Sequence, residues 1–108
     1  MYKEPGKETE ILKFVGLSKK ESAVYLILLA KGPSLVSEIV RYSGFHRPAV
    51  YHVIASLERA GFVSIAVRGK MKAYVAESPE RIKNLIDELK ENIEEWLPSF
   101  QKKWDLQP

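Results

Sequence analysis

Two histidines, His46 and His52, are the side chains of this 108-residue chain best suited to ligate a metal or move a proton, and neither has the company that work requires. There is no cysteine, which excludes thiolate zinc sites, iron–sulfur clusters, disulfide frameworks and thiol nucleophiles. Few carboxylates lie close to either histidine in the sequence. The acids that do cluster, Asp87, Glu88, Glu91, Glu94 and Glu95, fall mostly on the polar side of a C-terminal helical pattern. Laced with lysines, they form a solvated face rather than a catalytic pair. Ser34, Ser37, Ser43 and Ser56 have no nucleophile-elbow context, and Gly69 is one glycine in a turn, not a phosphate cradle. No catalytic constellation, metal set or cofactor motif emerges, so the expectation is a protein that is not an enzyme.

The chemistry that remains belongs to the cations. Net charge is +3, but it is unevenly divided. Residues 1–17 are neutral, residues 18–76 carry nine basic residues against three acidic (+6), and residues 77–108 carry five against eight (−3). Glu58 is the only acid between residues 39 and 76, a stretch that holds Arg47, Arg68, Lys70 and Lys72. A basic body followed by an acidic tail element points to a polyanionic partner for the body and another task for the tail. Apolar residues make up 45% and charged residues 29%, the composition of a soluble globular domain. The longest apolar run, Ala23 to Ala30, falls far short of the roughly 20 residues that span a bilayer, and Met1 to Gly6, with Lys3 and Glu4, is not a signal peptide. The expected location is the cytoplasm, in association with the nucleoid, with no membrane partner.

The elements that must position these cations follow from periodicity and punctuation. A short amphipathic segment from Glu8 to Val15 groups Ile11, Leu12, Phe14 and Val15 and ends at Gly16. Ser18-Lys19-Lys20-Glu21 is a capping box for a central helix carrying Ala23, Val24, Leu26, Ile27, Leu28 and Ala30, which Lys31-Gly32-Pro33 stops. A helix from about Val36 to Tyr42 follows, capped by Ser34 or Ser37, with Ile39 and Val40 inward. After Gly44 and a plugging Phe45, Pro48 suits the first turn of a helix whose Val50, Val53, Ile54 and Leu57 recur at helical spacing until Gly61. The period then changes: residues 62–67 and 71–76 are strand-like around the turn Arg68-Gly69-Lys70, a hairpin with a basic tip. Ser78-Pro79-Glu80 opens the last helix. Its Ile82, Ile86, Leu89, Ile93, Trp96 and Phe100 are spaced four, three, four, three, four, a heptad seam, widened by Leu85, Leu97 and Trp104. Pro98 predicts a kink or break.

Helices, a β-hairpin and a terminal helix in this order make a mainly α winged helix-turn-helix with a long C-terminal dimerisation helix. The division is residues 1–77 for the DNA-binding body and 78–108 for a coiled-coil-like element. With one face of the 47–60 helix in the core, Arg47, Pro48, Ala49, Tyr51, His52 and Ser56 turn outward, where Arg47, Tyr51 and His52 can bond phosphate or base edges of double-stranded DNA. Ser37 and His46 border that face. Arg68, Lys70 and Lys72 would reach the adjacent backbone or minor groove. The seam from Ile82 to Phe100 has more apolar face than a small body covers, so a second copy, a homodimer, is expected. The rival readings are a protein-interaction winged helix of a transcription assembly and a non-specific, chromatin-like coat on DNA.

Gly16-Leu17-Ser18-Lys19-Lys20-Glu21-Ser22-Ala23-Val24-Tyr25, followed by Leu29-Ala30-Lys31-Gly32-Pro33, resembles the start of the TrmB-like winged-helix regulators, common in archaea. Ser37-Glu38-Ile39, Ser43-Gly44, Arg47, Val50-Tyr51, Ser56-Leu57-Glu58 and Gly61-Phe62-Val63 continue the likeness, over roughly residues 9–90. The resemblance implies a dimeric DNA-binding transcriptional regulator with Arg47, Tyr51 and the wing on DNA. Pro48-Ala49 stands where relatives often have small polar or basic residues. Fuller relatives continue past the coiled coil into a sugar-binding domain, so the expectation for a chain ending at Pro108 includes no sugar sensing. No cofactor is implied, and the residues name no small-molecule effector.

Overall fold

The computed structural model describes residues 6–108; the stretch from Met1 to Gly6, expected not to be a signal peptide, lies outside them except for Gly6. Five helices and one hairpin succeed one another: α1 (Gly6–Phe14), α2 (Lys19–Lys31), α3 (Val36–Ser43), α4 (Arg47–Arg59), β1 (Val63–Arg68), β2 (Met71–Ala76) and α5 (Glu80–Asp105). This is the mainly α, winged helix-turn-helix order expected from the sequence.

α2 is the centre of the core, because apolar residues occupy most of its sides. Val24, Tyr25, Ile27 and Leu28 are buried, and Val24, Tyr25 and Leu28 share one core cluster with Ile39 of α3 and Val50, Val53, Ile54 and Leu57 of α4. The helix starts as its capping box requires: the Glu21 amide donates to the Ser18 hydroxyl and the Ser18 amide to the Glu21 carboxylate. In α1 only part of the expected apolar group turns inward. Leu12 is buried and Val15 packs on the core, whereas Ile11 and Phe14 are exposed.

Neither serine caps α3. Ser34 forms an antiparallel bridge with Tyr74, its amide donating at 3.0 Å and its carbonyl accepting at 2.8 Å, and its hydroxyl donates to the Gly32 carbonyl. The open amide at the start of α3, that of Leu35, donates instead to the Glu38 carboxylate at 2.8 Å. α3 ends at Gly44, whose left-handed φ of 75° lets its amide reach the Val40 carbonyl; a side chain there would be strained. The sharp reversal delivers α4 across α3, with Pro48 in its first turn.

The wing is an antiparallel pair running from Val63↔Ala76 to Arg68↔Met71, with Gly69 and Lys70 at the tip. Its base is fixed to the body by the Ser34–Tyr74 bridge and by Phe62, packed edge-on against Tyr25 with ring centroids 5.3 Å apart. α5 then leaves the body. At 26 residues it is roughly 39 Å long, which explains a molecule 59 Å in its longest extent and 24 and 23 Å in the others. Of the kink or break expected near Pro98, the break is not present: α5 continues through it as one helix. Proline removes only one amide donor there, and the turn is solvent-exposed, so the freed carbonyl can bond water.

Candidate nucleic-acid interface

α4 presents a core face of Val50, Val53, Ile54 and Leu57 and an outer face that begins at its N-terminus. His46, Arg47, Pro48, Tyr51 and His52 are exposed and Ala49 is half-buried, as the helical spacing predicts. α4 has no acidic residue in its first turn and no side chain capping it, so the partial positive charge of its N-terminus is uncompensated.

The structure gathers five of the sequence-predicted residues around one open groove of about 510 Å³: Ser37 from α3, Arg47 and Tyr51 from α4, and Lys70 and Lys72 from the wing. Met71 and Tyr74 complete its wing side. The Ser34–Tyr74 bridge is what draws the base of β2 toward the start of α3, so these three elements face one space although they are far apart in sequence. His52 does not share it. It lies across α4 in a separate recess of about 390 Å³ with Ser18, Lys20, Glu21 and Ser56. The Ser56 hydroxyl, expected on the outer face, donates to the Glu21 carboxylate. Burial pushes the Glu21 carboxyl up, but the bonds from Ser56 and Ser18 outweigh it and hold the group below its ordinary value.

Arg68 also departs from its expected surroundings. Its guanidinium forks onto Glu38 of α3, Nη1 donating to Oε1 at 2.6 Å and Nη2 to Oε2 at 3.3 Å. The Arg68 hydrogen bond holds the Glu38 carboxyl below its ordinary range, helped by the Leu35 amide, and the same pair raises Arg68. Glu38 therefore serves both ends at once, closing the start of α3 and tethering the wing. Sequence reasoning named Arg68 and missed Glu38. The three-residue offset from Leu35 to Glu38 was a legible signal for the first role, but the second joins residues 30 apart.

In α5 the seam divides. Ile82 and Leu85 pack partly against the body's own core, so Ile82 is not wholly available to a partner. Ile86, Leu89, Ile93, Trp96 and Phe100 are exposed, as are Leu97 and Trp104 beside them. Among the described residues no group of histidine, cysteine and carboxylate side chains could hold a metal, and no helix is long and apolar enough to cross a membrane.

A helix-turn-helix (α3, α4), a hairpin wing and a basic groove between them define a winged-helix DNA-binding protein. Residues 12–80 match the family described as "Sugar-specific transcriptional regulator TrmB", and the chain belongs to that family of transcriptional regulators, which are DNA-binding proteins and not enzymes. It is 38% identical over 99 residues to the HTH-type sugar-sensing transcriptional regulator TrmBL1 of Pyrococcus furiosus, covering 88% of this chain and 29% of that protein. This chain thus spans less than a third of that relative's length. Among solved structures it is similar to TrmBL2, an archaeal chromatin protein, with a TM-score of 0.76 and 27% identity over 92% of this chain and 40% of that one. A possible transcriptional regulator of Methanosarcina mazei Go1 shares the fold, with a TM-score of 0.71 and 16% identity over 88% of this chain and 86% of its own.

Proposed function

We propose that the protein binds double-stranded DNA as a homodimer, with the N-terminal half of α4 in the major groove and the wing tip on the neighbouring backbone. The observation that carries this reading is the single groove ringed by Ser37, Arg47, Tyr51, Lys70 and Lys72, at the uncompensated start of α4. Arg47 and Tyr51 supply donors for base edges or phosphate, and Lys70 and Lys72 supply phosphate contacts. Residues up to 77 form the DNA-binding body and residues 78–108 the pairing element. The five exposed seam residues from Ile86 to Phe100 meet their counterparts in a second copy, which removes an apolar stripe from water. The net charge of −2 over residues 78–108 keeps that element away from phosphate. The site of action is the cytoplasm, at the nucleoid.

A second reading, general coating of DNA, is favoured by the likeness to the chromatin protein TrmBL2. A salt-titrated binding assay comparing the gene's own upstream region with random duplex separates the two. Tighter binding to the upstream region at every salt concentration supports a site-specific regulator; equal affinities support a coat. No binding to either duplex at low salt would overturn both.

A further inference from the structure

The recognition helix α4 ends at Ala60, where a carbonyl is left without a partner inside the helix. Arg81, in the first turn of α5, supplies one: its Nη2 donates to the Ala60 carbonyl at 3.2 Å. The guanidinium lies against Gly61, so closely that a Cβ at that position would stand 3.2 Å from Nε and Nη2 and 3.3 Å from Cζ. Gly61 has φ +82°, so it both makes the turn out of α4 and leaves the space that Arg81 fills. The Arg81 Nε is buried without a hydrogen-bond partner, a cost borne where the guanidinium packs on Gly61. A cation at the C-terminal end of α4 is also favoured by the helix dipole.

Glu77, four residues before Arg81, is tied as well. Its amide donates to the Phe62 carbonyl at 2.8 Å, and its carbonyl accepts from the Tyr25 hydroxyl at 3.0 Å. Beyond Leu85 the large apolar residues of α5 are exposed. The direction in which α5 leaves the body therefore depends on a few contacts at its root, and the Arg81 hydrogen bond joins that root to the end of α4.

We propose that Arg81, seated on Gly61 and bonded to Ala60, is the positioning residue that fixes the angle between the recognition helix and the pairing helix. The proposal rests on the reading that α4 contacts DNA and α5 pairs two copies: a fixed angle in each chain is what gives the two recognition helices one separation along the duplex. In this role Arg81 acts through the joint between α4 and α5 rather than by contact with DNA.

The absence of cysteine makes a direct test available. Spin labels at Ala30→Cys on α2 and Glu91→Cys on α5, both exposed positions, report the body-to-α5 distance. Dilution with unlabelled protein restricts the signal to distances within one chain. The expected result is a narrow distribution that Arg81→Met, which keeps the apolar stem and removes the guanidinium, converts to a broad one. Arg81→Lys, which retains a donor for Ala60, should fall between them. Thermal unfolding monitors the body, and should Arg81→Met fail to fold, Arg81→Lys carries the same comparison. A narrow distribution in every folded variant, or a broad one in the parent protein, overturns the proposal. Selection from a random-sequence duplex library gives the functional counterpart. Inverted half-sites at one spacing are expected from the parent, and the same half-site without fixed spacing from Arg81→Met; retention of the spacing by Arg81→Met overturns the proposal. Sedimentation on the same samples keeps the readings apart. A monomeric parent contradicts the pairing of two copies, while the distance within one chain still decides on the joint.

Discussion

Arg68 and Lys70 stand two residues apart at the wing tip, yet among the described residues only Arg68 is met by a carboxylate. Such a pair on the surface contributes little to stability, but a two-point fork fixes geometry. Acid should expose the role of Glu38. Its folded pKa is lowered, so whatever it contributes is complete above its ordinary value of 4.5 and is lost as pH falls through the folded value. Glu38→Gln keeps an acceptor for the Leu35 amide and removes the charge. The thermal stabilities of parent and variant should therefore differ at neutral pH and converge in acid; a gap that persists unchanged would remove the ion pair from the account. At Arg47, replacement by Ala should weaken DNA binding by about 1–3 kcal/mol and relax preference at one base pair where the guanidinium forks onto a base. A uniform loss over all sequences would assign it to phosphate, and no loss at all would mean that α4 is wrongly oriented. The residues that sequence reading placed best were those governed by local period: the exposure of Arg47, Tyr51 and His52 follows once Val50, Ile54 and Leu57 are assigned inward. What it could not place were partnerships across the fold, such as Arg68 with Glu38 and Ser56 with Glu21, because no local pattern encodes a contact 30 or 35 residues away.

The elements were legible where capping chemistry and periodicity agreed. The Ser18–Glu21 box starts α2 where it should, and the change of period after Gly61 marks the wing. They were less legible where tertiary contact takes a residue for another purpose. Ser34 has the chemistry of a cap but its backbone and hydroxyl are committed to the bridge with Tyr74 and to the Gly32 carbonyl, so Glu38 closes α3 instead. Pro98 has the chemistry of a helix breaker, but in an exposed helix one missing amide bond does not end the element. For the wing, neutralising Lys70 and Lys72 should lower affinity for every duplex and reduce the log–log salt slope by about 0.9 for each phosphate left without its lysine. An unchanged slope in the double variant would take the wing off the backbone. Replacing Arg68 should act differently, loosening the wing with a smaller change of slope, because its charge is already matched within the protein.

At the scale of the whole molecule, the proposed function divides two tasks between a basic body and an acidic, apolar-striped helix. The heptad spacing made the stripe visible in the sequence; that Ile82 and Leu85 belong partly to the body was not visible, since the same spacing serves either surface. Replacing Leu89 and Ile93 by Glu should give a folded monomer with weakened binding to two-half-site DNA, because neither residue packs in the body's core. Sedimentation and calorimetry on one sample check this: a mutant that stays dimeric would move the interface, and one that unfolds would place these residues in the core after all. Pairing would set the two α4 helices about 34–36 Å apart, one turn of duplex, and favour a pseudo-palindromic site.

DNA is expected to meet the groove between α3, α4 and the wing, and amide chemical shifts of isotope-labelled protein titrated with a short duplex test this residue by residue. The largest shifts should fall at Ser37, Arg47 to His52 and Lys70 to Lys72, and should diminish as salt is raised. Shifts confined to α1 or α5, with that groove silent, would contradict it.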